Sequence, residues 1–183
     1  MTTRSTVRDG IDDLQHLAAR WPRDADGNPA TRWTATPYGR AVLTIKRPDG
    51  YRICDDPDRI QVDRVHSWLS TDAYWALGRS RDVVATAIAN SIVFGVYRDA
   101  DEQQVGFARA ITDLATFGWL CDVYIDRPER GRGLGRWLVG TARDELHRRG
   151  VRRLLLATLD AHDVYAPLGF APLAHPDRWM ELT

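Results

Sequence analysis

Features that mark several common protein classes are scarce or missing in this chain of 183 residues. Its two cysteines, Cys54 and Cys121, match neither a metal-binding spacing nor a disulfide framework. Both fall in apolar, strand-like stretches, so we expect buried free thiols in the reducing cytoplasm. No apolar run approaches the length of a membrane span, and the first residues lack the apolar core of a signal peptide.

A net charge is also missing, because 25 Lys and Arg residues balance 25 Asp and Glu residues. No overall field therefore attracts the chain to nucleic acid or to a membrane surface. A single Arg-Gly-Arg-Gly segment without repeats is a poor match to an RNA-binding region. We predict no nucleic acid, no membrane and no metal ion among the partners, and one domain with one core.

The most informative stretch reads as a strand, a glycine-rich turn and a helix. Residues 117–125 are apolar and β-prone, and three glycines follow within residues 131–135. Apolar residues then recur at helical spacing up to Gly150, a natural C-cap. Glycines let the backbone approach a ligand closely, and the unpaired N–H groups of a helix start attract anions. The pattern predicts a phosphate-binding loop, and the alternative is a solvated turn that caps the helix. The residue spacing excludes two known phosphate loops, the P-loop and the dinucleotide fingerprint.

The remaining chain alternates strand and helix patterns. We predict helices over residues 7–21, 60–69, 82–90 (with Asp82 as a possible N-cap) and 161–168, strands over 51–54, 91–97, 104–111, 152–158, 170–173 and 178–182, a possible strand over 40–46, and a loop over 22–37. Glu145 and Arg149 are expected to form a solvated pair. The fold class is α/β in the broad sense: an α+β mixed sheet with helices on its faces.

Two boxes of the sequence resemble those of a known family. Arg-x-x-Gly-x-Gly at Arg130, Gly133 and Gly135 resembles the acyl-CoA loop of the GNAT N-acetyltransferase superfamily. Tyr165 to Phe170 is similar to the Tyr-x-x-x-Gly-Phe box of its last helix, and the order of elements from residue 51 matches. Tyr74-Trp75 and residues 90–97 further resemble an uncharacterised group of small bacterial acetyltransferases.

The resemblance implies the GNAT fold, a central, twisted, mostly antiparallel sheet flanked by helices. It assigns residues 51–183 to the N-acetyltransferase domain and leaves residues 1–50 as an N-terminal extension, packed on or beside the core. It implies that acetyl-CoA is the co-substrate and that a primary amine of a small molecule or protein attacks it directly in a ternary complex. A monomer or homodimer is expected. The alternative is a non-catalytic acyl-CoA sensor.

The resemblance also suggests which residues bind the cofactor. Main-chain groups of Val123, Tyr124 and Ile125 are expected to pair with the pantetheine arm. The pyrophosphate is expected on the amides of Arg130, Gly131, Arg132, Gly133, Leu134, Gly135 and Arg136.

Catalytic assignments are less direct. Tyr165 is the expected acid for the leaving sulfur, unless it is an ordinary core tyrosine. Because a phenol has a pKa near 10 and a thiol about 8.5, it would act chiefly by hydrogen bonding. Pro167 is expected to shorten or kink the helix that carries it. Asp122 is the predicted base, with a water chain ending on an acid or on His162 as the alternative, in which case Asp122 is a hydrogen-bonded structural carboxylate.

The acceptor pocket and the role of His162 complete the predicted site. His162 is expected to serve either the cofactor or the proton path. Tyr74, Trp75 and Phe94 are predicted to line a pocket for the acceptor amine, with core packing as the alternative.

Overall fold

The structure, a computed structural model, describes residues 31–35 and 41–182. Its sheet has seven strands that neighbour one another in chain order: β1 (Thr31–Ala35), β2 (Ala41–Arg47), β3 (Tyr51–Cys54), β4 (Ile92–Arg98), β5 (Gln104–Thr112), β6 (Gly118–Ile125) and β7 (Leu154–Leu155). Neighbouring strands are antiparallel from β1 to β6, and β7 pairs parallel to β6. The predicted mixed, mostly antiparallel sheet flanked by helices is therefore confirmed.

The described helices are α1 (Val62–Thr71) and α2 (Arg81–Ala89) between β3 and β4, α3 (Leu134–Arg148) between β6 and β7, and α4 (His162–Tyr165) after β7. The N-cap of α2 is Ser80, not Asp82 as predicted, and its hydroxyl accepts a hydrogen bond from the Val83 N–H. This satisfies one of the unpaired N–H groups of the first turn. Within the described part of the chain, no helix is both long enough and apolar enough to span a bilayer.

Strand side chains alternate between two cores, one on each face of the sheet. On one face, Val93 and Phe107 pack among the residues of α1 and α2. On the opposite face, Phe94 and Ala108 pack against Leu138 and other residues of α3. Burial of each large apolar side chain contributes about 1.5–3 kcal/mol. The sheet is therefore held between α1 and α2 on one side and α3 on the other.

Strand β6 departs from regular pairing at two points. Its register with β5 shifts between Phe107 and Arg109, and Asp122, at the same level, has a φ of 51°. This combination is a β-bulge. At the second point, the pairing of β6 with β7 covers only Gly118 and Trp119 of β6. In the described chain, the far edge of β6 therefore has no strand beside it from Leu120 to Ile125.

Buried ion pairs connect the C-terminal end of α3 to the sheet. Glu145 is fully buried and accepts hydrogen bonds from Arg148 and, at 2.5 Å, from Arg149 Nε. Arg149 Nη2 also lies 2.5 Å from buried Asp55 Oδ2. The predicted solvated pair of Glu145 and Arg149 is therefore wrong, because the pair is enclosed between α3 and the strand end at Asp55.

The sheet begins earlier in the chain than the sequence pattern predicts. Residues 31–35 lie inside the predicted loop, yet they form β1 and pair with β2 along their whole length. The Thr-Arg-Trp-Thr run is β-prone, and the surrounding Pro and Gly residues obscured it. The possible strand over 40–46 is confirmed as β2. The predicted helix over 7–21 lies outside the described residues, and the division at residue 50 stays a prediction.

The C-terminal part is less regular than predicted. The strand expected over 152–158 shortens to β7, and the strands expected over 170–173 and 178–182 are absent from the described chain. Residues 171–182 are exposed, and Pro172 and Pro176 lack the N–H that a ladder requires. The helix predicted over 161–168 ends at Tyr165, and the segment with Pro167 continues as the 3₁₀ turn Ala166–Leu168.

Candidate active site

The glycine-rich turn places the open start of α3 next to the end of β6. Gly131 and Gly133 have φ angles of 79° and 73°, in the left-handed region that favours glycine. A β-carbon at either position would meet no atom within 4 Å, so backbone conformation rather than crowding requires glycine there. Gly133 is the N-cap of α3 and supplies no side-chain acceptor. The N–H groups of the first turn, from Leu134 to Arg136, are thus left for an external anion.

The three arginines of the turn differ in how firmly they are held. Arg130 donates from Nε to the Ile125 carbonyl at 2.9 Å and from Nη2 to Asp72 at 3.1 Å. Arg132 lies 3.4 Å from Glu129 and keeps 58% of its side-chain surface exposed. Arg136 Nη2 contacts the Asp163 carbonyl at 3.4 Å. Arg132 and Arg136 are therefore the cations most available to a ligand at the turn.

Two acidic residues that sequence reasoning missed hold this turn in place. Glu129, which is buried, accepts hydrogen bonds from Tyr51 Oη at 2.6 Å and from Arg98 Nη1 at 2.5 Å. Asp72, at the end of α1, accepts from Tyr124 Oη at 2.6 Å and from Arg127. These two hydrogen bonds hold the pKa of Asp72 well below its usual range. No sequence motif indicated the role of Glu129 or Asp72, because their partners are distant in sequence.

The end of β6 presents main-chain groups on its open edge. Asp126 N–H donates to the Val105 carbonyl at 2.9 Å, across the ladder to β5. Alternation along an antiparallel strand turns the main-chain groups of Ile125 away from β5, and those of Val123 follow the same side. Tyr124, between them, buries its ring against Trp68, with ring centroids 5.3 Å apart. Val123 therefore offers hydrogen-bonding groups where β7 has diverged, and Ile125 offers its N–H, because its carbonyl already accepts from Arg130.

Asp122, the predicted base, is already saturated with hydrogen-bond donors. Its carboxylate is 3% exposed and accepts from Arg109 Nε at 2.6 Å and Arg79 Nη1 at 2.8 Å. Trp75 Nε1 donates to the second oxygen at 3.1 Å. With 3% of its side chain exposed, the carboxylate leaves little open surface from which an ammonium group could reach it. Through Trp75 and Arg79, Asp122 connects the α1–α2 loop with the bulge of β6.

Tyr165 lies in α4 and packs on the core beside Phe170, with ring centroids 5.9 Å apart. Its hydroxyl has no hydrogen-bond partner among the residues that the structure describes. Burial raises the pKa of Tyr165 to about 12, with smaller contributions from neighbouring Tyr74 and Asp160. This shift makes the phenol a weaker acid, so it keeps its proton and acts as a hydrogen-bond donor.

The aromatic residues predicted for the acceptor pocket separate into two groups. Tyr74 and Trp75 are 47% and 43% exposed and meet edge to face at 4.9 Å. Tyr74 Oη also accepts a hydrogen bond from the Leu159 N–H at 3.1 Å. Phe94, in contrast, is fully buried in the core, which leaves no surface for an acceptor to contact. The prediction is corrected for Phe94, whose role is packing.

The remaining predicted residues lie at the rim or away from the site. His162 begins α4 and is exposed. Cys121 is partly buried, and burial raises the pKa of its thiol to about 11, so it is an unreactive thiol rather than a nucleophile. No group of His, Cys, Asp and Glu within the described ranges has the arrangement of a metal site.

These elements form one constellation: an uncapped helix start, an open strand edge, a bulge and a half-buried phenol. The profile of the Acetyltransferase (GNAT) family matches residues 62–170, which include all four. The chain belongs to the GNAT family. Membership makes the protein a transferase of the acyl-CoA-dependent class, and it leaves the acceptor undecided.

Individual proteins resemble this chain in sequence or in fold. A candidate GNAT acetyltransferase of Xanthomonas campestris pv. campestris is 37% identical, with a TM-score of 0.68 over 73% of this chain and 92% of that chain. A candidate acetyltransferase of Gibberella zeae, FG08082, is 35% identical in an alignment of length 142 that covers 65% of this chain and 80% of that protein. Rv2747 of Mycobacterium tuberculosis, solved with CoA bound, shares the fold at 17% identity and a TM-score of 0.51, over 62% of this chain and 69% of that chain.

Proposed function

We propose that this protein transfers the acetyl group of acetyl-CoA to a primary amine of a small molecule or protein by direct attack in a ternary complex. The uncapped first turn of α3, next to the open edge of β6, is the observation that carries the proposal. The amides of residues 130–136 would take the pyrophosphate, and Val123 and Ile125 would pair with the pantetheine arm. Arg132 and Arg136 would add positive charge, and His162, which is exposed, would contact the cofactor.

The reaction requires one bond to form and one to break. The free amine nitrogen attacks the acetyl carbonyl carbon, an N–C bond forms, and the C–S bond breaks. Tyr165 donates a hydrogen bond to the sulfur as it leaves with the bonding electrons. The N–H group of Val123, at the bulge, would polarise the carbonyl oxygen. One proton of the amine is released, and the thiolate takes up a proton to give free CoA.

The released proton needs an acceptor, and Asp122 is poorly placed to be that acceptor. Its three donors hold it in position. We therefore propose that Asp122 orders the bulge and that the proton leaves through water. The hypothesis that Asp122 itself takes the proton predicts a different outcome for the Asp122→Asn variant.

Gly133→Ala tests the cofactor loop. A residue with a β-carbon in the left-handed region costs about 1–2 kcal/mol, and the unliganded loop would relieve this strain by leaving the conformation that binds the pyrophosphate, so the dissociation constant for acetyl-CoA is expected to rise by up to about 5- to 30-fold. Isothermal calorimetry with acetyl-CoA measures it. The control is Gly140→Ala in the middle of α3, where a β-carbon would meet Leu168 at an ordinary 3.5 Å. Equal affinity in both variants would contradict the loop assignment.

The pH dependence tests the state of Tyr165. Because its pKa is raised to about 12, its proton is kept at lower pH and lost only as the pH rises through that value. We expect kcat to increase as the acceptor amine deprotonates and then to stay level to about pH 10. Initial rates at saturating acetyl-CoA measure this profile. A decline of kcat centred near neutral pH would contradict the assignment of a neutral phenol donor.

The transferase and the sensor are distinguished by thiol release. Purified protein is incubated with acetyl-CoA and a panel of amines, amino acids and peptides, and free CoA is measured. The proposal predicts acceptor-dependent release. Binding of acetyl-CoA without release for any acceptor would favour the sensor, and no binding at all would overturn both.

A further inference from the structure

An open cavity of about 560 Å³ lies between α2 and β5, close to the bulge of β6. Val83, Ala87 and Ile111 supply most of its apolar lining, and Ser91 and Arg109 supply polar groups. Val83 and Ile111 are 53% and 47% exposed. Exposed aliphatic residues around a concave surface are typical of a small-molecule site. None of the residues proposed above to bind acetyl-CoA lines this cavity.

Arg109, on the polar wall of the cavity, belongs to a cluster with excess positive charge. Arg109 and Arg79 share one carboxylate, that of Asp122, at 2.6 and 2.8 Å. The cluster therefore has a net charge of one positive unit. Arg109 Nη1 lies 3.2 Å from Ser91 Oγ, and its Nη2 has no hydrogen-bond partner among the residues that the structure describes. This part of the guanidinium group therefore has hydrogen-bonding capacity left for an anion.

The same cluster lies next to the proposed point of acetyl transfer. Arg109 pairs in register with Cys121, and its partner Asp122 precedes Val123, the proposed carbonyl-binding residue. A carboxylate bound by Arg109 would therefore hold a neighbouring amine close to the thioester. Asp82 is the opposing charge on the rim of the cavity, but it is exposed and its field is screened by solvent.

We propose that this cavity is the acceptor subsite and that it takes a free α-amino acid with an aliphatic side chain. The carboxylate would bind Arg109, the amine would face the bulge, and the side chain would pack on Val83, Ala87 and Ile111. Polyamines and other polycations are disfavoured by the same positive charge. The proposal rests on the proposed function and specifies its acceptor.

The experiment compares leucine with leucinamide as acceptors at saturating acetyl-CoA, by thiol release. The two differ in the carboxylate, and the amide has the lower amine pKa, which favours leucinamide chemically. We expect kcat/KM to be about 10- to 100-fold higher for leucine, because a charged hydrogen bond is lost in leucinamide. Equal values, or a preference for leucinamide, would overturn the proposal.

A variant tests the place of binding without disturbing the ion pairs. Ile111→Glu puts a like charge at the mouth of the cavity, and half-exposed Ile111 can be replaced without opening the core. KM for leucine is expected to rise at least about tenfold, with the calorimetric Kd of acetyl-CoA unchanged. Met180→Glu, at a position that is 98% exposed, is the matched control.

The outcomes separate this proposal from the proposed function. An unchanged KM for leucine in Ile111→Glu, with acetyl-CoA still bound and other amines still acetylated, would overturn the subsite alone. Failure of the wild-type protein to bind acetyl-CoA in the same calorimeter would overturn the transferase itself, and the subsite with it.

Discussion

Replacing Tyr165 with phenylalanine is expected to lower kcat about 100-fold, the effect of removing one well-placed hydrogen-bond donor from a developing charge. The ring would still pack beside Phe170, so the fold and the affinity for acetyl-CoA should be retained. Steady-state thiol release gives kcat, and calorimetry gives the dissociation constant.

Tyr97→Phe controls for the general cost of removing a buried tyrosine hydroxyl. Tyr97 donates to the Arg59 carbonyl at 2.9 Å, away from the proposed site, so kcat should remain close to the wild-type value. A Tyr165→Phe variant with full turnover would show that the phenol packs in the core and does not assist the leaving sulfur.

Asp122→Ala is expected to lower the free energy of unfolding by about 3–5 kcal/mol, because removal of one partner leaves buried charge uncompensated. Arg79 and Arg109 would lose the carboxylate that they share. Alanine is also poorly suited to the φ of 51° at the bulge. Urea unfolding, followed by tryptophan fluorescence, measures the loss.

Asp122→Asn separates the structural role from the catalytic one. Asparagine tolerates the left-handed backbone and keeps an oxygen acceptor, so we expect a smaller loss of stability and a folded protein. If Asp122 only orders the bulge, the folded variant should retain most of its turnover. A folded variant that binds acetyl-CoA but has lost turnover about 100-fold or more would establish Asp122 as the base.

The glycine turn and the helix after it were predictable because their constraints are local. Gly131 and Gly133 occupy positive φ angles, and spacing alone identifies such glycines in front of an apolar helical pattern. The fold class followed from the order of strand and helix patterns in the same way. Tyr165 was found through the short box that ends at Phe170, although its burial and its raised pKa required the structure.

The supporting residues were not predictable, because their partners are far apart in sequence. Asp72 contacts Arg127, and Glu129 contacts Tyr51, across 55 and 78 positions. Helical spacing placed Glu145 on a solvated face, but the residues that enclose it come from another part of the chain. Phe94 was misassigned for a related reason, since alternation along a strand does not reveal which of its two faces is open to a ligand.

The buried link from Glu145 through Arg149 to Asp55 has a consequence at the opposite end of α3. These ion pairs fix the C-terminal end of α3 to the sheet. The first turn of α3 is therefore preorganised relative to the sheet before any ligand binds. Little conformational entropy should then be lost on cofactor association. Removing these ion pairs with Arg149→Ala should therefore make that association more entropically unfavourable, although the mutated position contacts no part of the glycine turn.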